Sequence, residues 1–172
     1  MQGRTRDRQG SRRGAVGASI DMGRRRTIAG LLALPAAVSA CTKASAAPAI
    51  RVHLGPSCGC CREWVRHLEQ NGFDVETFEG GNVEARARLG MPAEYGSCHT
   101  AEIGGYAVEG HVPAGEILRL IDERPRAVGI AVPGMPIGSP GMDGPAYAGR
   151  VDPYDVLLVR HDGSAEVYRA YR

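Results

Sequence analysis

The sequence predicts a small α/β domain behind an export leader, and three observations predict it. Apolar residues alternate on a strand period at Ile50, Val52 and Leu54, then switch to a helical period at Cys61, Trp64, Val65 and Leu68. The chain of 172 residues is 43% hydrophobic and 23% charged, which suits one compact domain and argues against wholesale disorder. Four of the five cysteines, Cys58, Cys60, Cys61 and Cys98, fall inside the patterned part. Aromatic residues are only 5% of the chain, against 24 glycines and 11 prolines, so the core must be built from small aliphatics with many turns between elements.

The leader occupies residues 1–47. Arg24, Arg25 and Arg26 precede the apolar run Ile28 to Ala40, which ends in small residues and is shorter than the roughly 20 residues a membrane-spanning helix needs. The arginines with Thr27 and Ile28 resemble a twin-arginine signal, and Val38 to Cys41 resembles a bacterial lipobox, in which Cys41 would carry a lipid anchor. Ala44 to Ala46 offers an ordinary cleavage site instead. Met22 stands directly before the basic stretch as an alternative start. The expected location is the periplasm, free or tethered. Charge supports the division: residues 1–40 hold eight arginines and two acids, net +6, so a chain of +2 leaves −4 for the remainder. That balance excludes an electrostatic footprint for nucleic acid, and no later segment reads as a transmembrane span.

The mature domain, 48–172, is read element by element. Ile50 to Leu54 is a half-buried strand, broken by Gly55-Pro56-Ser57. Cys58 to Gln70 is a helix stopped by Asn71-Gly72. Phe73 to Phe78 is a second strand and Val83 to Leu89 a short helix. Thr100 to Ile103 and Tyr106 to Val108 form a hairpin about Gly104-Gly105 with a primed turn. A helix follows over Pro113 to Glu123, with Ile117, Leu118 and Ile121 on its apolar face. A Gly/Pro/Met loop over Val132 to Pro145 has the length of a lid, and a C-terminal hairpin pairs Val156–Val159 with Glu166–Tyr168. The order βαβαββα, with cysteines where the first strand becomes a helix, resembles the thioredoxin-like fold in its small glutaredoxin-type form. That fold carries a cis-proline before its third strand, where this chain has Ser97-Cys98-His99-Thr100.

Chemistry is concentrated in the cysteines. Cys58 and Cys61 have CxxC spacing at a helix N-terminus, where free amides and the helix dipole favour thiolate. Cys60 and Cys61 point about 100° apart on a helix, so bridging several ions is easier than chelating one. Three sulfurs within four residues, with Cys98 across a cleft, fit soft, low-coordinate Cu(I) better than a tetrahedral Zn²⁺ site, which is the alternative metal. His99 adds an imidazole beside Cys98, and His111, just before the third helix, is a further candidate ligand. Met135 and Met142 supply soft thioethers on the long loop. His53, His67 and His161 are read as non-ligands, with His67 placed where a helix C-terminus favours a cation. Two readings compete with copper: disulfides such as Cys58–Cys61 with Cys60–Cys98 in an oxidising compartment, and a thiol-disulfide oxidoreductase using the CxxC pair. Against the second, Cys60 inside the motif competes as an internal thiol. Phosphate loops, GxSxG, HExxH and paired carboxylates in a recognisable context do not occur.

The segments Ser57 to Cys61, Asn71 to Glu76, Ser97 to Pro113, Ala131 to Met142 and Asp152 to Leu158 together resemble the CopG-type family of small periplasmic metal-binding proteins associated with copper tolerance. The resemblance covers residues 50 to 170 and implies copper binding through the CxCC and CH motifs, here Cys58, Cys60, Cys61, Cys98 and His99. The partners expected are copper ions and other periplasmic copper-handling proteins, and the role expected is sequestration with exchange between Cu(I) and Cu(II).

Overall fold

The computed structural model of the protein describes residues 46–172. The leader features, Arg24 to Arg26, the apolar run to Ala40, and Cys41, lie outside the described residues. Strands β1 (Ala49–Leu54), β2 (Asp74–Phe78), β3 (His99–Ile103), β4 (Tyr106–Glu109), β5 (Gly129–Ala131), β6 (Tyr154–Val159) and β7 (Ala165–Tyr171) form one seven-stranded sheet in the order β2-β1-β3-β4-β5-β6-β7. Helices α1 (Gly59–Gln70), α2 (Val83–Arg88) and α3 (Ala114–Glu123) complete a mixed α/β architecture. None of the described helices is long and apolar enough to cross a membrane.

Strand alternation fixes which residues meet the helices. β1 runs parallel to β2 through the α1 crossover, and β4 runs parallel to β5 through α3; the other neighbours are antiparallel. Val108, Ile130 and Leu158 share the main core with Trp64, Leu68, Ile117 and Leu120 of α1 and α3. Their strand neighbours Ala107, Ala131 and Val159 face the opposite side and pack with Met91 beyond α2. Gly104 and Gly105 both have positive φ, 56° and 87°, the backbone that a primed two-residue hairpin turn demands.

Three expectations are corrected. β5 was not foreseen: three residues, buried throughout, carry no alternation to read. On α3 the buried residues are Ala114, Ile117 and Leu120, while Leu118 is 40% exposed, because the helix meets the sheet along the 114–117–120 line rather than one residue further round. The long loop is also not structureless. Met142 N–H donates to Ser139 O, Gly138 N–H to Met142 O and Asp152 N–H to Ile137 O, and Pro145–Tyr147 closes as a 3₁₀ turn. The C-terminal hairpin is present and longer than expected, as β6 and β7.

Candidate metal centre

The N-cap and first turn of α1, the entry to β3 and the exit from β4 converge on one point, and each delivers a donor atom. Cys58 is the N-cap of α1. Cys58 and Cys61 are joined as a disulfide, leaving Cys60 and Cys98 as free thiols. Cys60 Sγ lies 3.6 Å from Cys58 Sγ and 3.9 Å from Cys98 Sγ. The four sulfurs fall within 4.8 Å of one another, and so do Cys98 Sγ and a ring nitrogen from each of His99 and His111. Cys98 is the member shared by both groups. Of the disulfides raised from sequence, Cys58–Cys61 is formed and Cys60–Cys98 is not.

The histidines are set by their second nitrogens. His111 Nδ1 donates to the Pro140 carbonyl at 2.8 Å; a carbonyl only accepts, so the Nε2 lone pair faces Cys98 Sγ at 3.2 Å. His99 Nδ1 lies 3.3 Å from the same sulfur, and its Nε2 is buried with no hydrogen-bond partner. Both rings are fully buried. Burial, then the neighbouring His111, pushes His99 down to about 3, and burial also lowers His111 against a weaker pull from Pro140 and Asp143. Both imidazoles are therefore neutral, the form that ligates a metal. Burial, with the charge of Cys60, raises Cys98 to about 12, so without an ion it is a thiol and must release its proton to bind one. Cys98 can donate its S–H to His111 Nε2 and accept at sulfur from His99 Nδ1–H, which leaves the buried Nε2 of His99 as the ring atom without a partner. Neutral nitrogens beside clustered sulfur suit a soft ion.

The loop contributes a carbonyl. Gly141, at φ 86°, sits so close to α1 that a Cβ there would lie 2.7 Å from Cys60 O and 2.8 Å from Trp64 N. Met142 is buried and its Sδ accepts a hydrogen bond from Tyr147, while Met135 is 52% exposed, so the donors gathered at Cys98 are sulfurs of cysteine and nitrogens of histidine.

Two supporting features escaped sequence reading. Glu109, fully buried, pairs with Arg86 at 2.8 Å and holds the Ser97 and Thr100 side of the site. Breaking one partner of such a buried pair costs about 3–5 kcal/mol. Charged residues on a short strand and a short helix carried no signal that they would meet. His67, expected as a cation, is instead an acceptor: its Nε2 takes the Ala114 N–H at the start of α3, at 3.1 Å, and burial lowers its affinity for a proton. His53 stacks on Phe78, away from the centre.

The family model described as "Protein of unknown function, DUF411" matches residues 95–142, the stretch that carries Cys98, His99, His111 and the loop to Met142. A solved structure described as copper resistance protein CopG, form 2, is similar at 48% identity over 73% of this chain and 99% of that one, with a TM-score of 0.67. Form 1 gives 49% identity, 72% and 98% coverage and a TM-score of 0.66. A comparison with curated proteins finds no match.

Proposed function

Since the chain belongs to the CopG family of copper resistance proteins, we propose that it is an exported copper-binding protein that holds Cu(I) through Cys58, Cys60, Cys61 and Cys98, assisted by His99 and His111. The observation that carries this reading is the position of Cys98 Sγ, shared between three other sulfurs and two buried, neutral imidazoles. Cu(I) displaces the thiol proton, P–SH + Cu⁺ → P–S–Cu + H⁺. Cys58 and Cys61 join only after two electrons and two protons have opened their disulfide. Bridging sulfurs then let the site take several ions. Sequestration of copper outside the cytoplasm accounts for a tolerance role, and the mixed sulfur and nitrogen set is compatible with both Cu(I) and Cu(II). The order β1-α1-β2-α2-β3-β4-α3 supports reading the core as thioredoxin-like, with β5 to β7 as an extension.

Anaerobic titration with Cu(I) and, separately, with Zn²⁺, followed by elemental analysis, tests the proposal. Copper retained by the reduced chain and lost when all four cysteines become serine is the expected result. Tight zinc at one per chain with negligible copper would overturn it. Met135 and Met142 enter as accessory thioethers only if their replacement by leucine lowers the copper taken up. Mass spectrometry of exported protein tests location: a lipid on Cys41 marks a tethered form, an N-terminus near Ala47 a free periplasmic one.

The disulfide at the start of α1 favours one second reading, a thiol-disulfide oxidoreductase. Turnover of a model disulfide by the metal-free chain, abolished by Cys58→Ser and indifferent to copper, would establish it in place of copper holding.

A further inference from the structure

Residue 97 is held in an unusual way. Its N–H donates to Glu109 Oε1 at 2.6 Å, and its carbonyl accepts from Arg86 Nη2 at 2.7 Å and from Asn82 Nδ2 at 3.1 Å. The same groups close on one another. Arg86 reaches Glu109 Oε1 through Nε and Nη2 at 3.1 and 2.8 Å, Thr100 Oγ1 donates to Glu109 Oε2 at 2.6 Å, and Asn82 Nδ2 also donates to Thr100 Oγ1 at 3.1 Å. Glu109 is fully buried and Asn82 nearly so. Three side chains from α2, its N-cap and β4 thus grip the main chain one residue before Cys98, just ahead of β3.

Stabilisation alone would be served by pairing these groups anywhere on the Met91 side of the sheet. Here they converge on one residue, and the sulfur that follows it has to sit 3.9 Å from Cys60 Sγ and 3.2 Å from His111 Nε2 at once. Glu109 also lies two residues before His111 on the same chain, and its carbonyl takes the Val132 N–H where the loop begins. The grip therefore acts on the approach to both donors.

We infer that Glu109, with Arg86 and Asn82, is a positioning residue of the metal centre: the buried ion pair fixes the Ser97 main chain and through it the distance from Cys98 to Cys60. Its relevance to copper rests on the function proposed above, but the spacing itself is measurable without copper. The guanidinium fork matters because one side chain must bridge a carboxylate and a carbonyl, which a lysine ammonium does less well.

The test uses the full metal-free chain with Cys58–Cys61 oxidised, and phenylarsine oxide as the probe. This reagent bridges two nearby thiols with loss of water, RAs=O + 2 R′SH → RAs(SR′)₂ + H₂O, and peptide mass spectrometry identifies the Cys60–Cys98 product. The expected result is that Glu109→Gln and Asn82→Ala slow this bridging by about tenfold or more, the scale on which small misplacements act on reactivity. Arg86→Lys should lie between these and the wild type, and Arg88→Ala, at an exposed pair with Glu102, should leave the rate unchanged. If Glu109→Gln does not fold, Asn82→Ala carries the test, because it removes one donor and no charge. Folded variants that melt lower yet bridge at the wild-type rate would reduce the network to plain stabilisation and overturn the inference. Cu(I) affinity measured on the same variants should fall in parallel. A wild type that binds no copper while the variants still lose bridging would sink the copper reading and leave the positioning role standing.

Discussion

Trp64 lies on His99, with ring centroids 4.2 Å apart and planes inclined by 36°, and its indole N–H donates to the Val112 carbonyl at 2.8 Å. The chain has one tryptophan, so its emission reports on this ring alone. Filling the centre with Cu(I) should change Trp64 fluorescence in step with copper uptake, and His99→Ala should remove most of that change. An emission that ignores bound copper would place the ion away from His99. Trp64→Ala should also cost about 3–5 kcal/mol in denaturant unfolding, because a large, fully buried side chain leaves a cavity.

Copper capacity should depend on thiol redox state. With Cys58–Cys61 closed, two cysteine thiols remain in the centre; reduction makes four. Protein prepared oxidised should therefore retain fewer copper ions per chain than protein reduced and freed of reductant, as counted by elemental analysis. Equal counts would mean that Cys58 and Cys61 take no part in holding the metal.

His67 should make the fold acid-sensitive. Its neutral Nε2 accepts the Ala114 N–H, and its proton affinity is lowered from the ordinary 6.5 chiefly by burial, with Asp143 opposing. The folded state thus binds fewer protons than the unfolded one just below pH 6.5, so stability is complete above that value and falls as pH drops through it. His53, His99 and His111 are shifted in the same direction, so the comparison that isolates His67 is with His67→Gln, whose carbonyl oxygen can still accept from Ala114. The difference in melting temperature between the two chains should change with pH between 6.5 and 5 and stay flat above 7. A constant difference across the range would remove His67 from the acid response.

Gly141→Ala should harm the centre where Gly144→Ala does not. At position 141 the backbone is left-handed and a Cβ would press on Cys60 O and Trp64 N, while at 144 a Cβ meets nothing within 4 Å. A destabilisation of roughly 1–3 kcal/mol with weaker copper binding is expected at 141 and neither at 144. Identical behaviour of the two would mean that the loop does not press on α1.

The cysteine positions and the first seven elements were legible because period, turn residues and CxxC spacing are local signals. Ile50, Val52 and Leu54 announce a strand, and Gly104-Gly105 announces its turn chemistry. β5 was not legible, since its three residues are buried by neighbours 20 to 30 positions away in sequence. The Arg86–Glu109 pair and the acceptor role of His67 were hidden for a related reason: each depends on a partner that only the tertiary fold brings within reach. The reading of Leu118 failed on geometry, because helical periodicity gives a stripe and not the line along which the stripe meets a sheet.

The contact between Pro140 and His111 gives the loop authority over coordination chemistry. Its carbonyl dictates which imidazole nitrogen keeps the proton, and proline at that position has no N–H of its own to reverse the choice. A shortened or lengthened segment between Met135 and Gly141 would keep every cysteine and histidine of the centre, yet hand the metal a protonated Nε2. Donor identity at His111 is thus encoded by chain length as well as by residue type, and screening loop deletions against copper uptake would reveal that dependence where substitution of ligands alone would not.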